Sequence, residues 1–198
     1  LKLKNLYSLF SDNLSKEIIL NIFPQFKYFE RLKIINSLAQ NIKDKYDNNL
    51  ILALIILDES KDYEYFCHKY KTSNALLKRF RNISQNYESI KNKKFFTEKN
   101  IKKMIYLLNK KNVRDLLLFS FSVNSKKNFL EIEKMINYLE NCDIPKFPIS
   151  GDYLKNLGYK PGPEFGDKLK LLEKKWIESN FFLKKEVIDK YLKKINNN

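Results

Sequence analysis

Apolar side chains recur at helical spacing along most of this 198-residue chain. Ile18, Ile19, Ile22 and Phe23 mark one short helix, and Pro24 stops it, because proline has no N–H to donate and its ring clashes with the preceding turn. Phe29, Leu32, Ile35 and Leu38 mark a second helix at three-residue spacing. Asp47 is placed to cap the run Leu50 to Leu57, which is apolar at every position. A helix with no polar face belongs inside a core. Tyr63, Phe66 and Tyr70 share one face of the next segment. Thr72 or Ser73 can cap a helix reaching Tyr87, with Leu76, Leu77, Phe80 and Ile83 inward and Lys78, Arg79 and Arg81 on the other face. Thr97 caps a helix through Leu108 that aligns Ile101, Ile105 and Leu108. Val113 to Val123 is a mostly apolar helix, and Ser125 starts another with Phe129, Ile132, Ile136 and Leu139 on its stripe.

The backbone-shaping residues are unevenly placed. The four glycines, at 151, 158, 162 and 166, all follow residue 150, and Pro145, Pro148, Pro161 and Pro163 lie in or beside the same stretch. Tight hairpins between strands usually need glycine at positive φ, so the first 150 residues predict helices. The expected fold class is all-α: an array of short helices forming a body, followed by a helical tail subdomain. No repeat of fixed period supports a regular solenoid. The proline-broken stretch from Asn141 to Ile149 sets the expected boundary, giving regions 1–141 and 142–198.

Within PISGDYLKNLGYKPGPEFG, Ser150 is an N-cap and Asp152 favours the positive end of a helix. A short helix from Gly151 to Leu157 should end on Gly158 in the left-handed conformation. Tyr159 to Gly162 connect to a helix that Pro163 begins, with Phe165, Leu169, Leu172 and Trp176 as its apolar stripe. Gly166 lies inside that helix, at a propensity cost of up to ~1 kcal/mol, and is expected to permit a close backbone approach. Ser179-Asn180 turns the chain into a closing helix from Leu183 to Lys194. The corner has two readings: a structural turn that closes the domain, or a hairpin offering free N–H groups to a nucleic-acid phosphate.

Charge adds a partner class. Thirty-eight basic against 23 acidic residues leave a net +15. Between Lys69 and Lys103 stand eleven basic residues: Lys69, Lys71, Lys78, Arg79, Arg81, Lys91, Lys93, Lys94, Lys99, Lys102 and Lys103. Only Glu88 and Glu98 oppose them, so nine net positive charges fall within 35 residues. Such clustering suits a polyanion such as RNA, because each phosphate contact releases counterions. AT-rich coding, which also enriches lysine, asparagine and isoleucine, and a solvated lysine face are the competing explanations. The longest apolar run is far short of the ~20 residues needed to span a bilayer, so no membrane association is expected. No cleavable signal pattern opens the stretch from Leu1, which points to the cytoplasm and to reduced thiols at Cys67 and Cys142. A start at Leu1 fits either a cut fragment or an unusual start codon.

Catalytic chemistry is sparse. His68 is the single histidine, and with Cys67 beside it falls short of a four-ligand metal site. No Gly-rich phosphate loop precedes residue 151, and no Walker lysine or Gly-x-Ser-x-Gly elbow occurs. Paired acids occur at Asp58-Glu59 and Asp62-x-Glu64, and the second pair reads as surface charge, because on a helix residues two apart point in different directions.

The run Pro145-Lys-Phe-Pro148-Ile-Ser-Gly151-Asp152-Tyr-Leu154, then Leu157-Gly158, Pro161-Gly162-Pro163-x-Phe-Gly166-x-x-Leu169 and Leu172-Glu173-x-x-Trp176-Ile177 resembles the C-terminal part of bacterial tRNA nucleotidyltransferases, the CCA-adding enzymes and related poly(A) polymerases. Ile19-Leu20-Asn-Ile-Phe23-Pro24 and Ser73-Asn74-Ala75 are compatible with the body of those enzymes. The resemblance implies a catalytic head followed by helical neck, body and tail. The head would carry a Gly-Ser motif and an Asp-x-Asp metal pair, with Mg2+ and ATP or CTP, and the neck side a Glu-Asp-x-x-Arg. None of these motifs occurs in this sequence. The implied role is a non-catalytic half that holds tRNA or other RNA for a head supplied in cis or as a separate chain. Gly151, Asp152, Gly158, Gly162, Pro163, Gly166 and Trp176 are its structural motif. The alternatives are a helical interaction scaffold, or the remnant of a split gene, without RNA binding, and a helix-hairpin-helix DNA binder built on Tyr159 to Gly166.

Overall fold

A computed structural model describes residues 6–10, 12–92, 94–124, 129–156, 158, 162–184, 186 and 188. Among the described residues every regular element is helical, so the protein is all-α. None of these helices is long and apolar enough to cross a membrane. The chain divides into two compact units, Leu1–Cys142 and Asp143–Asn198.

The first unit runs α1 (Leu6–Leu9), α2 (Asn13–Ile22), a 3-10 turn (Phe29–Arg31), α3 (Leu32–Ser37), α4 (Gln40–Lys43), α5 (Asn48–Ile56), α6 (Asp62–Lys69), α7 (Asn74–Gln85), α8 (Tyr87–Lys91), α9 (Glu98–Leu108), α10 (Lys110–Val123) and α11 (Phe129–Asn141). Its core is built on the two helices that bury the most residues. α5 buries Leu50, Ala53, Leu54, Ile55 and Ile56, and Asp47 caps it by accepting from the Leu50 amide at 2.9 Å. α10 is buried along most of its length and packs against α5, α7, α8, α9 and α11. Ser73 and Thr97 cap α7 and α9, accepting from Leu76 N at 3.2 Å and Asn100 N at 3.3 Å.

Three expected elements differ. Residues 29–38 form a 3-10 turn and a short α3 instead of one helix. Their three-residue spacing matches the 3-10 period better than 3.6. The helix expected to reach Tyr87 breaks at Asn86, whose side-chain amide donates to the Asn82 carbonyl at 2.8 Å and competes with the backbone ladder. α2 forms as expected, but none of its described side chains is buried: Leu14, Ile18 and Ile22 are 66%, 51% and 56% exposed. Ser125 lies outside the described residues.

The second unit contains α12 (Gly151–Asn156) and α13 (Pro163–Glu178). Ser150 Oγ accepts from Tyr153 N at 3.2 Å, and Pro163 opens α13. Gly158 adopts φ +87° and donates its N–H to Lys155 O at 2.9 Å, the left-handed turn expected after the short helix. Leu157 and residues 159–161 lie outside the described residues. The core is Ile149, Leu154 and Leu172, with Phe165 and Leu169 packed against it. Trp176 is buried between Phe147 (5.3 Å) and Phe181 (4.9 Å). Asn180 and Phe181 turn the chain at positive φ, and of the closing helix only 183, 184, 186 and 188 are described.

The close approach expected at Gly166 is absent: a Cβ there meets nothing within 4 Å among the described residues. It occurs at Gly151, where a Cβ would stand 3.3 Å from the Phe165 ring. Gly162 is extended at φ 174° and faces open space. The exposed Asp152 pairs with Lys155 at 3.0 Å.

Gly158→Ala is expected to lower the stability of this unit by about 1–2 kcal/mol, because the left-handed region penalises any Cβ. Gly166→Ala is expected to raise it by about 0.4–1 kcal/mol. Trp176, the chain's single tryptophan, sits in this unit's core, so its fluorescence during urea unfolding reads both effects.

Candidate nucleic-acid interface

The basic run is sorted by what each side chain meets. Arg79 leaves the surface: its side chain is 9% exposed. Its Nε and Nη2 donate to both oxygens of Asp115 at 2.7 Å, and its Nη1 donates to Asp47 at 2.7 Å. Asp115 is 2% exposed on the central α10. Burial pushes the Asp115 carboxyl up, and Arg79 offsets only part of that. Burial also raises Asp47, but Arg79 and the Leu50 amide outweigh it and hold that carboxyl below its ordinary value. For Arg79 burial works against the charge, and the two carboxylates overcome it and raise its pKa. An arginine placed on the polar face as an RNA contact is thus a strut joining α7, the start of α5, and α10.

Lys91 is also engaged. It pairs with Glu59 and, at 2.8 Å, with Glu88, and these hydrogen bonds raise its pKa. Arg81 is half-exposed and stands 3.6 Å from Glu64, a surface pair of little energetic weight. Lys69, Lys71, Lys78, Lys94 and Lys99 are exposed, and Lys102 and Lys103 are half-buried on α9. Lys93 lies outside the described residues. Lys94 shares its groove with Glu98 and Glu131, a mixed-charge surface. Asp62 and Glu64, read as surface charge, are exposed, and Asp62 pairs with Lys27 at 2.7 Å; Asp58 accepts from the Tyr28 hydroxyl and the Ser60 amide at 2.8 Å.

Three cations converge. A cleft of about 780 Å³ runs between α7 and the α9–α10 junction, lined by Lys78 and Arg81 from α7 and Lys111 from α10. Arg79, already paired with Asp115 and Asp47, also lines it, and its remaining polar groups are amides: Asn74, Asn82 and Gln85 on α7, Asn109 and Asn112 opposite. No acid lines it among the described residues. The geometry follows from helical period: Leu76, Phe80 and Ile83 turn inward, so positions 74, 78, 81, 82 and 85 share the remaining face. Asn109 turns the chain between α9 and α10 at φ 73° and accepts from Asn112 N at 3.0 Å, which brings Lys111 to the rim. Sequence reasoning missed Lys111, which lies beyond the basic run. The available signal was Lys110-Lys111-Asn112 directly after a predicted helix end.

Other chemistry is thin. Cys67 and Cys142 are buried and form no disulfide, and burial pushes the Cys67 thiol up. Among the described residues no three His, Cys, Asp or Glu side chains group closely enough to hold a metal ion.

No family model matches the chain, and no solved structure matches it. Over 53 residues it is 38% identical to CCA tRNA nucleotidyltransferase 1, mitochondrial, of Danio rerio. That stretch is 27% of this chain and covers 12% of the zebrafish protein, so the chain spans only a small part of that relative. The likeness links part of this chain to part of a tRNA nucleotidyltransferase.

Arg79→Met is expected to cost the first unit about 3–5 kcal/mol, because it strands the Asp115 carboxylate without a partner. Adding Asp115→Leu is expected to recover most of that loss. Urea unfolding followed by far-UV circular dichroism distinguishes the two outcomes. A single variant as stable as the parent would show that Asp115 does not depend on Arg79.

Proposed function

We propose that this chain is a non-catalytic RNA-binding part of a tRNA nucleotidyltransferase system, holding tRNA or a related RNA for a catalytic head. The observation that carries the proposal is the 53-residue stretch at 38% identity to a CCA tRNA nucleotidyltransferase. Two further features support it. The ordered motif from Pro148 to Trp176 resembles the tail of such enzymes, and its described residues form α12, the left-handed Gly158 and α13. The first unit also offers a cationic cleft, with no acid in its lining among the described residues, suited to phosphate.

In this reading the head, with its Mg2+ and ATP or CTP, belongs to another segment or another chain, and no residue described here is assigned as a ligand of either. RNA would be held by shape and phosphate contacts, with sequence read weakly or not at all. The cytoplasm is the proposed setting. One observation favours the scaffold alternative: the exposed stripe Leu14, Ile18 and Ile22 on α2 suits a protein contact.

A mobility-shift titration with tRNA across a salt series tests the reading. Binding should weaken as salt rises, with a log–log slope of about −0.7 to −0.9 per phosphate contact. Lys78→Glu combined with Arg81→Glu is expected to weaken binding about tenfold or more while the far-UV spectrum stays intact. Absence of binding, or binding insensitive to salt, would favour the scaffold. Nucleotide addition to tRNA by this chain alone would overturn the non-catalytic assignment.

A further inference from the structure

The cleft along α7 has features that contact with a duplex backbone does not require. It is concave, and its polar lining is largely side-chain amide. Its floor includes the apolar Ala75, Leu77 and Leu108, and Leu107 stands 65% exposed at its edge. Asn82 Nδ2 is buried and has no hydrogen-bond partner among the described residues. A buried amide donor without an acceptor is costly, on the order of 1–3 kcal/mol. Asn74, Leu77 and Arg81 also line a second groove of about 460 Å³, together with Lys71, His68 and one acid, Glu64.

We propose, building on the RNA-binding reading above, that this cleft takes an unpaired, single-stranded segment of the RNA. The phosphates lie on Lys78, Arg81 and Lys111, the strand leads out past Lys71, and base edges meet the amides of Asn74, Asn82 and Gln85. Three arguments select a single strand over a duplex. An A-form helix presents its phosphates on a wide convex surface, which a recess of this size cannot enclose. Side-chain amides both donate and accept, so they match the exposed edges of unpaired bases, which a duplex conceals. The apolar floor and the Arg81 guanidinium offer faces on which a splayed base can rest. No aromatic ring lines the cleft among the described residues, so hydrogen bonding contributes more than stacking.

The full chain is titrated by fluorescence anisotropy with a labelled single-stranded RNA decamer and with a ten-base-pair RNA duplex at the same salt. The single strand is expected to bind about tenfold more tightly or better. Lys111→Gln and Asn82→Leu are each expected to lower single-strand affinity about three- to tenfold and leave duplex affinity unchanged. Lys111 is exposed, so its variant keeps the test valid if Asn82→Leu fails to fold. If tRNA binds but single strand and duplex bind equally, or neither variant changes the single strand, the cleft assignment fails and the RNA-binding reading stands. If no RNA binds at all, both fail together.

Discussion

A nine-residue helix that is apolar at every position from Leu50 lies at the centre of the first unit; its N-terminus opens at the surface, and its C-terminal end must find hydrogen-bond partners away from bulk water. Asp47 answers at the N-terminus, accepting from the Leu50 amide at 2.9 Å. Arg31 answers at the C-terminus, donating to the Leu54 and Leu57 carbonyls at 3.0 and 2.6 Å. Each capping group is itself held. Arg31 lies over the Tyr28 ring at 3.8 Å and donates to the Tyr87 hydroxyl at 3.1 Å. Asp47 is gripped by Arg79, which is locked to Asp115 on α10. Burial lowers the Arg31 pKa and raises that of Asp115, the expected signs for charges drawn inward to serve a buried helix.

This arrangement also orients the surface. With Arg79 fixed between Asp47 and Asp115, α7 has one rotational setting about its axis. That setting turns Leu76, Phe80 and Ile83 to the core and leaves Lys78, Arg81 and Asn82 along the cleft. A structural arginine and two prospective phosphate contacts thus sit within four residues of one another, and their roles differ because a helix turns about 100° per residue. The same sorting engages Lys91 with Glu59 and Glu88, so that the most basic stretch of the chain presents fewer uncommitted cations than it contains.

Much of the fold was legible in the sequence. The buried helix after Asp47, the caps Ser73, Thr97 and Ser150, the left-handed Gly158 and the stripe of α13 rest on signals that act within a few residues. The helix breaks at residues 29–38 and at Asn86 were harder, because apolar spacing alone does not separate a 3-10 turn from an α-helix or reveal a side-chain amide competing for a carbonyl. Gly166 seemed to need a close neighbour because it interrupts a helix, yet the crowded glycine is Gly151. Propensity shows that a glycine is unusual at a position, and only packing shows whether anything approaches it.

The site was legible in part. Sequence alone determined most of the helical elements, the left-handed Gly158 of the second unit and an excess of positive charge centred on residues 69–103, because periodicity, capping and composition are local properties. Tertiary structure alone decided which cations are engaged and which line a cleft. The partners of Arg79 lie 32 and 36 residues away in sequence, and Lys111 reaches the cleft only because Asn109 turns α9 into α10. Electrostatic pairing acts through space over a few ångströms, so a charge's role is set by the packing of helices that the linear order holds far apart.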